Sequence, residues 1–234
     1  MKIGSLISKI AVLSAILVAA GCETTPPTIQ SGPTAEVSFD GLNKVDNPQA
    51  QAAWARPDLD LSGYSKLLLV SAGFEYAPAK NRGRTQIEKD RGGPYVIEDD
   101  VRVRFEKEVG DQFREAFEKI QNWEVVTEKG PDVLAVYGGL GNIQSDVPPD
   151  DYNGMSNMYI TSVGQATLLL DLRDSESNTI LARSIDARLA ERMGGQMFES
   201  NRVTNGVEVR RLAGFWADRL VASLDSFKEI STGN

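Results

Sequence analysis

Two stretches of the chain carry apolar residues at helical spacing. The first runs from Val101 to Ile120 and follows three acidic residues, Glu98 to Asp100, which complement the dipole of a helix N-terminus. The second runs from Leu212 to Phe227 and follows a capping pattern at residues 205–208. Because each stretch places its apolar residues on one face, the pattern predicts two amphipathic helices that each bury one side.

Shorter patterns predict strands around these helices. The continuous apolar run Leu67–Val70 is typical of a buried strand, and further strands are predicted at 123–127 and 132–145. Residues 160–173 and 179–192 carry alternating apolar positions, and turn-forming residues separate the two segments. This pattern predicts a hairpin.

The order of these elements predicts an α+β fold. One strand, one helix, four strands and a final helix are most simply arranged as a two-layer sandwich. In this arrangement, a mostly antiparallel sheet of about five strands carries the two main helices on one face. If every element reverses the chain direction, the loops 146–159 and 193–204 lie at one end of the domain and the basic loop 77–95 lies at the other.

The N-terminus has the order of features found in export signals. Lys2 and Lys9 precede the apolar stretch 10–20, which is shorter than the roughly 20 residues needed to span a bilayer. The segment that ends in Gly21 and Cys22 resembles the lipobox of bacterial lipoproteins. That resemblance implies cleavage between Gly21 and Cys22 and attachment of fatty acyl chains such as palmitate to Cys22, which anchor the protein to a membrane. A buried helix explains these features less well, and a plain secretory peptide would leave a lone thiol in an oxidising compartment.

Composition divides the chain into four segments. Residues 1–21 form the lipoprotein signal peptide, and residues 22–36, rich in Pro and Thr, are expected to be a flexible tether. Residues 37–52 are predicted to dock on a single α+β domain at 53–230. Glu23 follows the anchor in place of the Asp that, by resemblance to sorting rules, favours inner-membrane retention. We therefore expect an outer-membrane location that faces the periplasm.

The composition excludes several classes of chemistry. The chain contains no histidine and a single cysteine, which excludes Ser-His-Asp catalysis, imidazole metal ligands and intramolecular disulfides. Its net charge of −8 argues against nucleic-acid binding. We expect no metal and no cofactor.

Three motifs match known binding sites only in part. Residues 58–63 match the first half of a calcium-binding loop, but Leu69 occupies the position of the required Glu. The glycine-rich run 137–142 lacks the Lys and Ser or Thr of a phosphate-binding loop and is better explained by strand bulges. Basic residues between 80 and 91 could contact anionic lipid headgroups, but the interspersed acidic residues favour a solvated loop.

An acidic loop with apolar neighbours is the candidate binding surface, together with the loop 193–204 that we expect beside it. Carboxylates next to polarisable side chains can line a ligand surface. Two carboxylates about 5 to 10 Å apart could instead form a glycosidase site. The residues of the candidate surface are Asp146, Asp150, Asp151, Tyr152, Met155 and Arg202.

The chain as a whole resembles a family of bacterial lipoproteins known as domain of unknown function 3313. The resemblance depends on the lipobox and on the segments Phe39–Leu42, Trp54–Tyr64, Gly164–Asp174 and Phe215–Leu220. It implies an envelope lipoprotein without an assigned activity, and it supplies no catalytic residue.

These observations favour a lipid-anchored envelope protein that binds rather than reacts. Its partners would be the membrane, through the anchor, and an envelope protein or a glycan, through the folded domain. The alternative is a carboxylate-based hydrolase that acts on cell-wall glycan, which requires two close carboxylates in a cleft. A third possibility is a small-molecule carrier, which requires a dry pocket of at least roughly 300 Å³ between sheet and helices.

Overall fold

The computed structural model describes residues 25–79, 94–148 and 157–232, and these form ten strands and two helices. In chain order the elements are β1 (Thr28–Ile29), β2 (Asn43–Asp46), β3 (Ala52–Ala55), β4 (Lys66–Tyr76), α1 (Asp99–Phe117), β5 (Glu124–Val126), β6 (Val133–Ser145), β7 (Tyr159–Ile160), β8 (Ser162–Asp174), β9 (Ile180–Glu191), β10 (Phe198–Glu199) and α2 (Arg202–Thr232). Gly21 and Cys22 lie outside the described residues. Within the described ranges, neither helix is long and apolar enough to cross a membrane.

Eight of the strands form one mixed sheet in the order β1-β2-β3-β9-β8-β6-β4-β5. Strand β4 pairs in parallel with both β5 and β6, and the other neighbouring pairs are antiparallel. The predicted two-layer sandwich with about five mostly antiparallel strands is therefore wrong. Strands β7 and β10 pair with each other in a small separate ribbon.

Helix α1 explains the parallel pairing. It connects β4 to β5 as a crossover, so the chain returns to the end of the sheet at which β4 began before β5 and β6 start. Residues 133–136 of β6 are all buried, which is the pattern of a strand covered on both faces rather than an alternating one. The sequence-based fold assumed that every element reverses direction, and this assumption fails at the β4–α1–β5 unit.

Three further strands lie between residues 28 and 55, which cover part of the predicted tether, the predicted docking segment and the start of the predicted domain. Strand β3 pairs with β9 from Ala52 opposite Ile185 to Ala55 opposite Ala182, and β2 and β1 extend the sheet beyond β3. Each of the three has four residues or fewer, which is too short for a periodic pattern to show in the sequence. The sheet is therefore larger than the sequence indicates.

The two helices pack against each other and bury apolar side chains against the central strands. One core cluster joins Phe117 of α1 and Leu224 of α2 to Leu134 of β6. A second cluster joins Val109 of α1 to Leu168 of β8. Because both clusters lie between the helices and the same strands, they hold α1 and α2 on the sheet.

Helix α2 begins about one turn earlier than predicted. The side chain of Asn201 accepts hydrogen bonds from the backbone N–H groups of Val203 and Thr204, both at 3.0 Å, and so caps the helix. Glu208, which the sequence analysis assigned to the capping pattern, is instead 3% exposed within the helix.

The parallel pairing of β4 and β6 brings three loops to one end of the sheet. Tyr95 forms a bridge to Ser145, so the loop 77–95 ends beside the start of the loop 146–159. The β7–β10 ribbon joins that second loop to the loop 193–204, as predicted. The loop 77–95 was predicted at the opposite end, which is wrong because β4 and β6 run in the same direction.

Candidate functional site

The candidate binding surface is described only in part. Asp146 directly follows β6, and Arg202 is the exposed first residue of α2. The basic residues between 80 and 91 lie outside the described ranges. So do the other members of the surface, which are Asp150, Asp151, Tyr152 and Met155.

Asp146 has a partly buried side chain whose environment favours the neutral acid. Its backbone N–H donates to the carbonyl of Val163 at 2.9 Å, which holds the residue beside β8. Burial raises the pKa of the Asp146 carboxyl, and the hydroxyl of Ser162 opposes this rise. A raised pKa suits a general acid, but a glycosidase needs a second carboxyl group about 5 to 10 Å away. The carboxyl groups that the sequence offers for that role are outside the described residues, so the hydrolase stays a prediction.

A buried ion-pair cluster lies near the same end of the domain. The carboxyl of Glu208 is 4% exposed and pairs with Arg211 and with Nε of Arg192, the latter at 3.6 Å. The Arg192 guanidinium also lies 5.0 Å from the ring centroid of Phe198, which connects β10 to α2. Since each charged group in this cluster pairs with another group of the protein, the role of the cluster is structural, and it holds β10 next to α2. In the parts of the chain that the structure describes, no group of three or more His, Cys, Asp or Glu residues could hold a metal ion.

A cleft of about 680 Å³ opens between α1 and the strands β4, β6 and β8. Apolar side chains from all four elements form its walls, among them Leu69, Val109, Phe113, Leu140, Leu168 and Leu170. Leu69 and Val125 line the cleft while remaining 38% and 47% exposed. The charged residues among those lining it are Arg114, which pairs with Asp111, and Glu118.

Gly138 accounts for part of this space. Gly138 lies on β6 between Val136 and Leu140, whose side chains belong to the core beneath the helices. A Cβ atom at Gly138 would meet only the side chain of Leu170 within 4 Å, at 3.4 Å. Gly110 of α1 also lines the cleft but is exposed, and a Cβ atom there would meet nothing within 4 Å. Because a larger residue at the inward position 138 would fill part of the gap between helix and sheet, Gly138 keeps it open.

This cleft was not predicted from the sequence. The pattern of the glycine-rich run 137–142 predicts strand bulges, and the apolar stripe of α1 predicts core. Phe113 of that stripe lines the cleft, and Val101 is 41% exposed. The available signal was a glycine at an inward position of a strand, between two large apolar residues that share its face.

The opposite face of the sheet carries a charged row. Arg183 donates hydrogen bonds to Asp171 at 2.7 Å and to Asp40 at 2.8 Å. Arg173 also donates to Asp171 at 2.7 Å and lies 4.6 Å from the ring centroid of Tyr137. Burial alone would raise the pKa of Asp171, but the hydrogen bonds from the two guanidinium groups outweigh it and hold that pKa below its usual value. The row attaches the segment around Asp40 to the sheet, which is a structural role.

The chain matches no family model and no curated protein. Among solved structures, it is similar to a Xanthomonas campestris protein described under the family DUF330, with 14% identity over 77% of this chain and 94% of that chain and a TM-score of 0.40. It is also similar to a structure from Helicobacter pylori described as a putative neuraminyllactose-binding hemagglutinin homolog, with 12% identity over 73% of this chain and 91% of that chain and a TM-score of 0.37. A third similar structure is a PelC dodecamer from Paraburkholderia phytofirmans, with 9% identity over 75% of this chain and 96% of that chain and a TM-score of 0.37. These values carry no conclusion about function. The resemblance to domain of unknown function 3313 in particular stays a prediction, although the Xanthomonas protein also belongs to a family of unknown function.

Proposed function

We propose that this protein is a lipid-anchored, non-enzymatic binding protein of the cell envelope, and that its cleft holds an apolar group of a ligand or partner. The observation that carries the proposal is the cleft of about 680 Å³ between α1 and the sheet. Ligand sites of proteins typically have volumes of about 300–1,000 Å³ and mostly apolar walls. The cleft has both properties, and its size meets the requirement that the sequence analysis set for a carrier.

The physical driving force is the removal of exposed apolar surface from water. Leu69 and Val125 lie at the cleft while 38% and 47% exposed, and covering apolar surface contributes about 25 cal/mol per Å². At about 30 Å³ per atom, the volume of one water molecule, the cleft has room for roughly 20 non-hydrogen atoms. An apolar group of that size gains affinity by filling the cleft.

The N-terminal sequence supports the proposed location. The lipobox-like segment that ends at Cys22 implies a fatty-acylated N-terminus, and the part of the predicted tether between Cys22 and β1 would connect the domain to the membrane. Glu23 favours the outer membrane, with the domain in the periplasm. The lipobox is also one of the features behind the resemblance to the domain of unknown function 3313 lipoproteins, which we retain as part of the proposal.

The test measures binding of the apolar fluorescent dye N-phenyl-1-naphthylamine to residues 23–234, which contain every described strand and helix. The variant Gly138→Leu places a side chain inside the cleft. Thr167→Leu is the matched control, because Thr167 lies beside Leu169 on the opposite face of the sheet and adds the same side chain away from the cleft. We expect Gly138→Leu to weaken dye binding at least tenfold and Thr167→Leu to leave it unchanged.

Equal dye affinities for the two variants would contradict the proposal. If the protein hydrolysed cell-wall glycan and the variant Asp146→Asn lost this activity, the alternative proposal of a carboxylate-based hydrolase would replace the binding function. Dye binding and glycan turnover are measured on the same protein preparation, so a misfolded sample would be inactive in both assays.

A further inference from the structure

Strand β4 is longer than the strand at its outer edge. Strand β5 pairs with β4 from Lys66 to Leu68, whereas β4 continues to Tyr76. The other edge of β4 pairs with β6 as far as Tyr76. Among the described strands, none occupies the outer edge of β4 beyond Leu68.

The direction of the backbone groups on this edge follows from the pairing with β5. The N–H of Glu124 donates to the carbonyl of Ser65 at 3.3 Å, so this carbonyl points toward β5, whereas the N–H of Lys66 donates to the carbonyl of Asp132 at 3.1 Å on the β6 side. Backbone groups of successive residues point alternately to the two edges of a strand. Those of Leu69 and Ser71 therefore point to the outer edge, where no described strand meets them.

This open edge borders the apolar cleft. Leu69 and Ser71 both line the cleft, and Val125 of β5 lies beside it. Because side chains alternate between the two faces of a sheet, a strand added next to β4 would place every second side chain between the sheet and α1. The same ligand can therefore form hydrogen bonds with the backbone of the β4 edge and place apolar side chains in the cleft.

We propose, on the basis of the function proposed above, that the occupant of the cleft is an extended segment of another polypeptide. It adds a strand to β4 along Leu69 and Ser71 and inserts alternate apolar side chains into the cleft. Main-chain hydrogen bonds supply affinity in such strand addition, and the pocket for alternate side chains supplies selectivity. An acyl chain would fill the cleft but would leave the backbone groups of this edge without partners.

Charge near the edge specifies the partner further. Glu75 of β4 and Glu124 of β5 are exposed and do not line the cleft, and no cation in the described part of the chain lies within ion-pair distance of them. In the added strand, every second side chain lies outside the cleft. Because opposite charges on neighbouring strands attract, these unpaired carboxylates favour Lys or Arg at those positions of the partner. The net charge of −8 acts in the same direction at long range.

The test uses the acylated full protein in phosphatidylcholine nanodiscs and a fluorescein-labelled peptide, acetyl-Lys-Val-Lys-Val-Lys-Val-Lys-amide. One comparison peptide groups the valines together, and another carries a methyl group on every backbone amide nitrogen. The protein variants are Gly138→Leu, which fills the cleft, and Ser71→Pro, which removes one outward N–H from the edge. Thr167→Leu is the control. Amide hydrogen exchange at Leu69 and Ser71 reports strand pairing directly.

We expect the alternating peptide to bind and to slow exchange at Leu69 and Ser71 at least tenfold. Both comparison peptides, Gly138→Leu and Ser71→Pro should each weaken binding at least tenfold, and Thr167→Leu should not. If Ser71→Pro fails to fold, the methylated peptide still tests the edge. Equal binding of the methylated peptide, or unchanged exchange at the two amides, would overturn the inference. Dye binding that depends on Gly138 without any peptide binding would overturn this inference alone, whereas loss of both would overturn the proposed function as well.

Discussion

Gly138→Leu is a test of the cleft that does not depend on any ligand. Replacing a core glycine by leucine normally overpacks a protein and destabilises it by about 1–3 kcal/mol. At Gly138 the structure predicts the opposite sign, because a Cβ atom meets one side chain at the ordinary contact distance of 3.4 Å and the space beyond it is the cleft.

The magnitude follows from the available volume and from the backbone. The four side-chain carbons of leucine occupy about 120 Å³, at about 30 Å³ each. The cleft offers about 680 Å³. Removing a glycine from a strand contributes about 0.5–1 kcal/mol, and burying the leucine side chain contributes about 1.5–3 kcal/mol. We expect the free energy of unfolding to rise by about 2–4 kcal/mol, which corresponds to a rise in Tm of about 4–16 °C at about 2–4 °C per kcal/mol for a protein of this size.

The assay is urea unfolding followed by tryptophan fluorescence, with Gly138→Ala as the intermediate step. Gly138→Ala should gain only the backbone contribution of about 0.5–1 kcal/mol. A stabilised Gly138→Leu protein that no longer binds the dye would show that the empty space is functional. Destabilisation by leucine together with a neutral alanine variant would refute the reasoning, because it would mean that α1 already closes over this position.

Three further predictions concern strands β8 and β9 of the sheet. Gly164→Ala should lower the free energy of unfolding, measured in urea titrations, by at least about 2 kcal/mol. The Cβ atom of the alanine would lie 2.0 Å from the carbonyl oxygen of Gln144 and would separate β8 from β6. An unchanged urea midpoint would contradict this prediction. Asp186→Ala should cost about 3 kcal/mol by the same measurement, because it removes the acceptor for Arg188 and for the buried Trp216 indole, whereas Asp186→Asn should cost less. Asp171→Asn should reduce the loss of stability in acid below about pH 4, measured as Tm against pH. The lowered folded-state pKa of Asp171 contributes stability that is present above its unfolded pKa of about 3.9 and is lost as the pH falls through the folded-state value. An unchanged profile would exclude that contribution.

Individual elements could be predicted from the sequence where a long pattern exists. The stripe from Val101 to Ile120 corresponds to α1 at Asp99–Phe117, and the alternating segments on either side of residues 174–178 correspond to the β8–β9 hairpin. These elements depend on hydrophobic periodicity over ten residues or more, which is a local property. The short strands β1 to β3 have no such period, so their pairing with β9 depends on the tertiary fold.

The candidate site illustrates the same limit. Asp146 was chosen from its loop, and its raised pKa depends on burial that no local pattern encodes. Gly138 was visible as part of a glycine-rich run, but its importance depends on α1, which is a separate segment of the chain and forms the opposite wall of the cleft. A cavity is a property of two surfaces, so one segment of sequence does not specify it.

The sequence by itself determined the excluded chemistries, the two helices and the central hairpin, because each depends on residue type or on short-range spacing. The anchor at Cys22 stays a prediction from the sequence. Only the tertiary structure decided the direction of β4 relative to β6, the eight-stranded sheet and the apolar cleft. The physical reason is that strand direction and empty space depend on which distant segments meet. That choice is made by the free energy of packing the whole chain.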